Sequence, residues 1–381
     1  VDLLLPEGTR LLHIGPAKTG TTSLQSAFHH NRDAIAEYGV HYAGSSRQAR
    51  SAAAAVATGR PIWGTSPRSM RKWPELVDEV NASTAKRVVI SSETFARCGD
   101  DAAKEVVDAF GAGRTHVVIT MRPLADMLSS TWQQYVQTGS TLTYEKWLKG
   151  VLVKDREGKK VTPTFWSRTR IDKLAKRWGD LVGFDNVSVV SLANRPLDFV
   201  QRTFEQFVGL PDGILEPEPG ESNLSLPFPV AEVVRRFNEM YFDLPGSDNH
   251  VQARLLEFGA LRYLKEREEN PLTKYPIEVP QWAADQAGEI AAEMNEGVRS
   301  LGVNVVGDLD ALTRLSKAAP QRVRTPSAIS TSDAAELMFA MMLASKEEAE
   351  RDALSRQSPM PTKKMLQVIA RRATRRLTRR T

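Results

Sequence analysis

The chain has 381 residues, of which 41% are hydrophobic and 25% charged. These are ordinary globular values with ample length for a core, and they exclude a wholly disordered chain. The formal net charge of +5 is concentrated at one end: residues 362–381 hold eight lysines and arginines and no acid. The rest of the chain is slightly acidic and does not read as a basic nucleic-acid-binding domain, so no specific nucleic-acid partner is expected.

The chain opens without Met, as a trimmed chain would. Its Val1-Asp2-Leu3-Leu4-Leu5-Pro6 start is too short for a signal peptide and has no basic flank. Four nearly continuous β-branched runs follow in order: Leu11–Ile14, Arg87–Ile90, His116–Thr120 and Val187–Ser191. Such runs suit strands buried on both faces. Helical patterns alternate with them, at Thr21–Ala36, Asp101–Phe110, Ala125–Tyr135 and Arg170–Leu181. This alternation predicts an α/β fold, with a parallel central sheet flanked by helices. A Pro-, Gly- and Glu-rich stretch at 211–229 closes that half. Beyond it the pattern is mostly helical, over Val230–Phe242, Val251–Arg267, Gln281–Leu301, Leu309–Lys317 and Asp333–Leu354. The expected organisation is a core over 1–225, a helical extension packed on it over 226–325, a helix in 326–360 and a basic tail over 361–381. The single cysteine, Cys98, excludes an internal disulfide framework and a Cys-rich zinc site, and suits a reducing, cytoplasmic compartment. No run of 18 apolar residues is present to span a membrane.

The most informative segment is His13-Ile14-Gly15-Pro16-Ala17-Lys18-Thr19-Gly20-Thr21-Thr22-Ser23. A buried strand ends at Ile14 and a helix begins near Thr21. Glycines let the backbone turn tightly and approach an anion. The helix start offers unpaired N–H groups and a positive dipole end. Lys18 adds a charge, and Thr21, Thr22 and Ser23 add hydroxyls. The whole is a cradle for a phosphate or sulfate. It is not a Walker A loop, which places its lysine directly after the second glycine; here Lys18 precedes Gly20.

A second anion-binding pair follows the third strand. Arg122 stands at its end in Thr120-Met121-Arg122-Pro123, and Ser130 lies eight residues on. Ser130 falls about 9 Å along the following helix at 1.5 Å per residue, within joint reach of one anion with the Arg122 guanidinium, whose planar fork suits phosphate. Ser129 is a rival that faces about 100° away. A serine bonded to its own helix backbone is the plainer alternative.

Pro16-Ala17-Lys18-Thr19-Gly20-Thr21-Thr22 resembles the 5′-phosphosulfate loop of sulfotransferases that use 3′-phosphoadenosine 5′-phosphosulfate (PAPS). The resemblance covers roughly residues 9–225 and extends to Trp132-Gln133-Gln134-Tyr135 and Asn223-Leu224-Ser225-Leu226. It implies a P-loop NTPase-like fold and a transferase that moves a sulfuryl group from PAPS to an acceptor hydroxyl, on a carbohydrate, glycolipid or other metabolite. It also implies that Lys18, Thr19, Gly20, Thr21, Thr22 and Ser23 hold the 5′ side of PAPS, and that Arg122 and Ser130 hold its 3′-phosphate. Cytosolic members carry a basic Arg-Lys-Gly stretch late in the domain. The comparable Pro219-Gly220-Glu221-Ser222-Asn223 has no cation, which leaves the downstream grip open.

Sulfuryl transfer needs a group to take the acceptor proton and positive charge at the leaving phosphate. Lys18 suits the second task, and no metal is demanded. Glu93, just past the second strand in Ser91-Ser92-Glu93-Thr94, is the preferred base, and His41 the runner-up. Glu93 also reads as a helix-start acid that complements the dipole. His116 opens its strand, at the wrong end of the sheet, and His13, inside a strand, reads as a packed, hydrogen-bonded histidine. Trp132, Tyr135, Phe165 and Trp166 read either as acceptor-cleft walls or as core.

In the tail, Met365, Ile369, Ala373 and Leu377 share one helical row apart from most arginines. That suits an imperfect basic amphipathic helix able to lie on an anionic membrane surface, which would make the protein peripheral; a solvated tail is the plainer alternative. The alternatives to a sulfotransferase are a P-loop-type kinase or NTPase and a non-catalytic membrane-associated scaffold.

Overall fold

The computed structural model describes residues 3–60, 67–155, 162, 164–216, 225–265, 272, 275–315, 317 and 319–357. The basic tail 361–381 and the 219–223 segment lie outside the described residues.

Six strands form one sheet: β1 (Thr9–Gly15), β2 (Val40–Tyr42), β3 (Arg87–Ser91), β4 (Thr115–Met121), β5 (Val187–Ser191) and β6 (Asn304–Val306). Their order is β2-β3-β1-β4-β5-β6, and every neighbouring pair is parallel. β1 therefore lies inside the sheet between β3 and β4, and all seven of its residues are buried. Side chains alternate across the sheet, as the pleat requires. Leu12 and Ile14 join the larger apolar cluster. That cluster also takes in residues of the helices Arg50–Thr58, Asp100–Phe110, Leu124–Gln137, Ile171–Val182 and Gln281–Ser300. Leu11 faces the opposite cluster, with Leu24 and Phe28 of the helix Thr21–His30 and with Phe204 and Phe207 of the helix Phe199–Val208. Both faces are thus covered by helices, the α/β architecture expected from the strand–helix alternation.

Two strands carry no apolar run and escape sequence periodicity. β2 is three residues long, held by pairing to β3 and by Tyr42 stacking on Phe28 at 5.1 Å. β6 is largely exposed and joins through backbone pairing to Ser188–Val190. Gly307 follows it at φ 95, where a Cβ would lie 2.6 Å from the Ser191 carbonyl oxygen. Residues beyond 225 thus supply a strand to the sheet as well as helices over it.

Three helical expectations change in detail. Thr21–Ala36 divides at Asn31 into Thr21–His30 and Arg32–Glu37. Leu309–Lys317 shrinks to a single turn at Asp310–Thr313, with the Asp308 carboxylate accepting from the Asp310 N–H at 2.8 Å. Val251–Arg267 forms as Asn249–Lys265 but widens into a π-type turn at Leu256–Ala260. There Gly259 abuts Ala344 of the long helix Thr331–Gln357 so closely that a Cβ would lie 2.5 Å from the alanine methyl. Among the described residues, no helix is long and apolar enough to cross a membrane.

Candidate functional site

The loop between β1 and the Thr21–His30 helix carries three left-handed residues: Gly15 at φ 84, Lys18 at φ 72 and Gly20 at φ 78. For Gly15 the requirement is steric as well as conformational. A Cβ there would sit 2.8 Å from the Glu93 Cβ, so the absence of a side chain lets the loop lie against Glu93. Lys18 is the unusual member, because a non-glycine residue in this region costs about 1–2 kcal/mol. Gly20 caps the helix with no side-chain acceptor, and no acid stands in the first turn. The positive helix end therefore faces outward without an internal counter-group, the arrangement that binds anions elsewhere.

The hydroxyls of the loop do not all face out. Thr19 is fully buried, and its hydroxyl donates to the Pro16 carbonyl at 2.7 Å and meets the Thr120 hydroxyl at 2.6 Å. Its side chain is part of the support, which leaves its backbone as the part able to face an anion. Thr21 is buried and Thr22 half-buried. Ser23 accepts from Gln201 at 2.9 Å and keeps its proton for another partner.

Under the loop runs a buried polar chain. His13 Nδ1 lies 2.8 Å from the Ser91 hydroxyl, and its Nε2 lies 3.3 Å from the Thr120 hydroxyl. The Gln25 amide donates both to Ser91 at 3.1 Å and to the Glu93 carboxylate at 3.3 Å. Each hydroxyl has one proton. Thr19 commits its proton to Pro16, so Thr120 donates to Thr19, His13 donates from Nε2, and Ser91 donates to Nδ1. A neutral imidazole closes the pattern. Complete burial agrees, pushing the His13 pKa down to about 3. The chain joins β3, β1 and β4 to the loop, and Gln25 carries it on to Glu93. His13 is thus a packed, hydrogen-bonded residue, as its position inside a strand suggests. His116 lies near the opposite end of β4, bonded to Ser188 at 2.8 Å, with its pKa lowered by burial to about 4.

Lys18 and Glu93 line one small chamber of ≈ 100 Å³. Met127, Thr131 and Gln134, one face of the Leu124–Gln137 helix, form part of its wall. A second space of ≈ 620 Å³ shares Arg50, Arg97, Gln134 and Arg168 with it, so the two form one cleft. Of the four aromatics singled out in the sequence, Phe165 borders the inner chamber and Tyr135 the outer. Trp132 is wholly buried against Tyr144 and Phe228, and Trp166 packs on the core. The three arginines escaped sequence reasoning because they are scattered along the chain in no motif.

Arg122 is exposed at the end of β4. The register pairs Gly15 with Ile119, so β1 and β4 end side by side; Lys18, in the loop after β1, and Arg122, one residue past β4, both follow the carboxyl ends of these neighbouring strands. Ser130 donates to the Met127 carbonyl at 3.1 Å, the local bond that was its plainer reading, and its lone pairs remain to accept. At 100° per residue Ser130 sits about 40° from Gln134, whereas Ser129 faces about 160° from Met127. Ser130 is therefore the serine near the cleft face. His41 is brought to none of these groups. It lies on β2, level with Val88, and its ring bonds Glu79 at 3.1 Å and Ser83 at 2.9 Å. The cleft that it borders, at the β2 edge, contains neither Lys18 nor Glu93. Short β2 places His41 there, so the structure brings Glu93, and not His41, to the chamber of Lys18.

Fold and site together define a doubly wound α/β protein with a glycine- and lysine-bearing loop between its first strand and an uncapped helix start. No family model matches the chain, and no curated protein matches it. Among solved structures it is similar to the crystal structure of a sulfotransferase from Alicyclobacillus acidocaldarius. The identity is 18%, over 62% of this chain and 91% of that one, and the TM-score is 0.37. Among the described residues, no group of three or more His, Cys, Asp or Glu is placed to hold a metal ion.

Two outcomes follow from the loop and its support. His13 and His116 have folded pKa values below the 6.5 of the unfolded chain, so the unfolded state binds more protons at acid pH. Stability is full above pH 6.5 and falls as pH drops, by up to about 1.4 kcal/mol per pH unit for each histidine. Denaturant unfolding between pH 7 and 4 measures this slope, and His13→Gln should flatten it. At position 18, Lys18→Gly should be about 1 kcal/mol more stable than Lys18→Ala, because only glycine relieves the left-handed backbone; thermal unfolding of the two variants decides.

Proposed function

We propose that this protein is a PAPS-dependent sulfotransferase acting on an acceptor hydroxyl. The observation that carries this reading is the meeting of Lys18 and Glu93 in one small chamber at the carboxyl end of β1, beside a helix N-terminus with no side-chain cap. This is where open α/β sheets bind ligands. The chamber pairs an anion grip with a carboxylate base. Arg122, which follows β4 as the Lys18 loop follows neighbouring β1, supports the reading for the co-substrate's second phosphate.

PAPS supplies a sulfuryl group joined to a phosphate that leaves readily. The Thr21–His30 helix start and Lys18 hold the 5′ side, and the Lys18 ammonium offsets the charge that grows on the leaving phosphate oxygen. Arg122 and Ser130 hold the 3′-phosphate and so set the position of the reacting end. Glu93 takes the acceptor proton as the acceptor oxygen forms its bond to sulfur and the sulfur–phosphate oxygen bond breaks. Gln25 orients Glu93, and Gly15 lets the loop close against it. The remaining catalytic effect is alignment of donor and acceptor in line.

The test is binding of the desulfated product, 3′,5′-adenosine bisphosphate, without magnesium, followed by an acceptor screen with labelled PAPS. Wild-type protein should bind the bisphosphate, and Arg122→Ala should weaken that binding at least tenfold. Glu93→Gln should keep it and lose about 10²–10⁴-fold in turnover. Lys18→Ala should abolish turnover. Magnesium-dependent binding of ATP in place of the bisphosphate would assign a kinase or NTPase, and binding of neither nucleotide a non-catalytic scaffold.

A further inference from the structure

Arg50, Arg97 and Arg168 come from three separate segments and line both chambers of the cleft. Among the described residues, none of the three is in an ion pair with a carboxylate. Arg60 and Lys18 add further positive charge to the walls, and among the described residues Glu93 and Glu257 are the acids there. Like charges placed together cost free energy unless an anion lies between them. Burial, then Arg168 and Arg50, hold the Arg97 pKa below its ordinary value, so the three side chains are within electrostatic reach of one another.

Local structure does not account for the cluster. Arg50 opens the helix Arg50–Thr58, which has no acid in its first turn. A cation there opposes the helix dipole. Ala54 and Thr58, at the next turns of that helix, line the outer chamber, so the positive helix end and Arg50 serve the same cleft. Arg168 is steadied by the Thr164 carbonyl at 2.9 Å and the Tyr135 hydroxyl at 3.4 Å. Those contacts engage two of its five N–H donors. Arg122 and Ser130 line neither chamber, so the residues assigned to the 3′-phosphate are not on the walls that carry the arginines.

The two volumes differ in what they admit. The inner ≈ 100 Å³ suits a group of sulfuryl size, whereas the outer ≈ 620 Å³ is in the range of small-ligand sites. An acceptor bringing a hydroxyl to Glu93 passes between the arginines. We propose that the acceptor is itself an anion, with a sulfate, phosphate or carboxylate gripped by Arg50, Arg97 and Arg168 near the hydroxyl presented to Glu93. The word acceptor rests on the sulfotransferase reading; the anion subsite does not.

The test titrates glucose, glucose 6-sulfate, glucose 6-phosphate and glucuronate into the full chain by calorimetry, with and without 3′,5′-adenosine bisphosphate. At least one anionic sugar should bind tenfold or more tightly than glucose. The three anions separate sulfate, phosphate and carboxylate recognition. The Arg97→Gln/Arg168→Gln double variant should lose that preference while its affinity for the bisphosphate changes less than twofold. The corresponding lysine variants should keep part of the preference. If the double variant does not fold, Arg50→Gln, at an exposed helix start, should lower anionic-sugar affinity at least threefold. Equal binding of glucose and all three anions by wild-type protein overturns the proposal, as does a preference that survives the glutamines. Failure of the bisphosphate to bind overturns the sulfotransferase reading instead, and the titrations without nucleotide still decide the anion subsite.

Discussion

The single-proton chain from Ser91 through His13 and Thr120 to Thr19 is the constraint on which the site depends. Its members belong to β3, β1, β4 and the anion-binding loop, so it ties three neighbouring strands to the segment that they carry. Every group in it is buried, and a buried donor or acceptor left unpaired costs about 1–3 kcal/mol. Each link is therefore held by the next. The loop gains a floor that neither its glycines nor the helix that follows could supply.

That floor explains how an unfavourable backbone persists at Lys18. The loop is fixed from below by Thr19 and from the side by Glu93, against which Gly15 packs without a side chain. Between those two points the chain has little freedom, and Lys18 is held in the left-handed region at a cost that the surrounding contacts offset. The result is an ammonium group and a carboxylate on the walls of one chamber, with Gln25 linking the carboxylate back to the same buried chain.

The electrostatics of the protein divide along the same lines. Inside the sheet, His13 and His116 are kept neutral by burial. In the cleft the balance is reversed: among the described residues, several cations line it against the carboxylates of Glu93 and Glu257. The arginine-lined cleft belongs to a chain that is slightly acidic once the tail is set aside.

Much of the architecture was legible in the chain. Strands buried on both faces must be apolar throughout, so β1, β3, β4 and β5 announced themselves, and the loop after β1 was readable because its glycines, lysine and hydroxyls are contiguous. The same reasoning picked out Glu93, which shares a chamber with Lys18, whereas Arg122 and Ser130 line neither chamber. β2 and β6 were not legible, since three-residue edge strands are defined by backbone pairing and carry no side-chain period. Nor was the inward turn of the Thr19 hydroxyl, because hydroxyls in a loop look alike until the residues beneath them are known. His41 was separated from the site by the lateral position of β2, and Arg50, Arg97 and Arg168 were united by the packing of distant helices. Local sequence determined the four buried strands and the glycine- and lysine-bearing loop after β1, because those properties depend on neighbours along the chain. Tertiary structure alone decided which charges share a cleft, because that depends on strand order and helix packing between residues far apart in the chain.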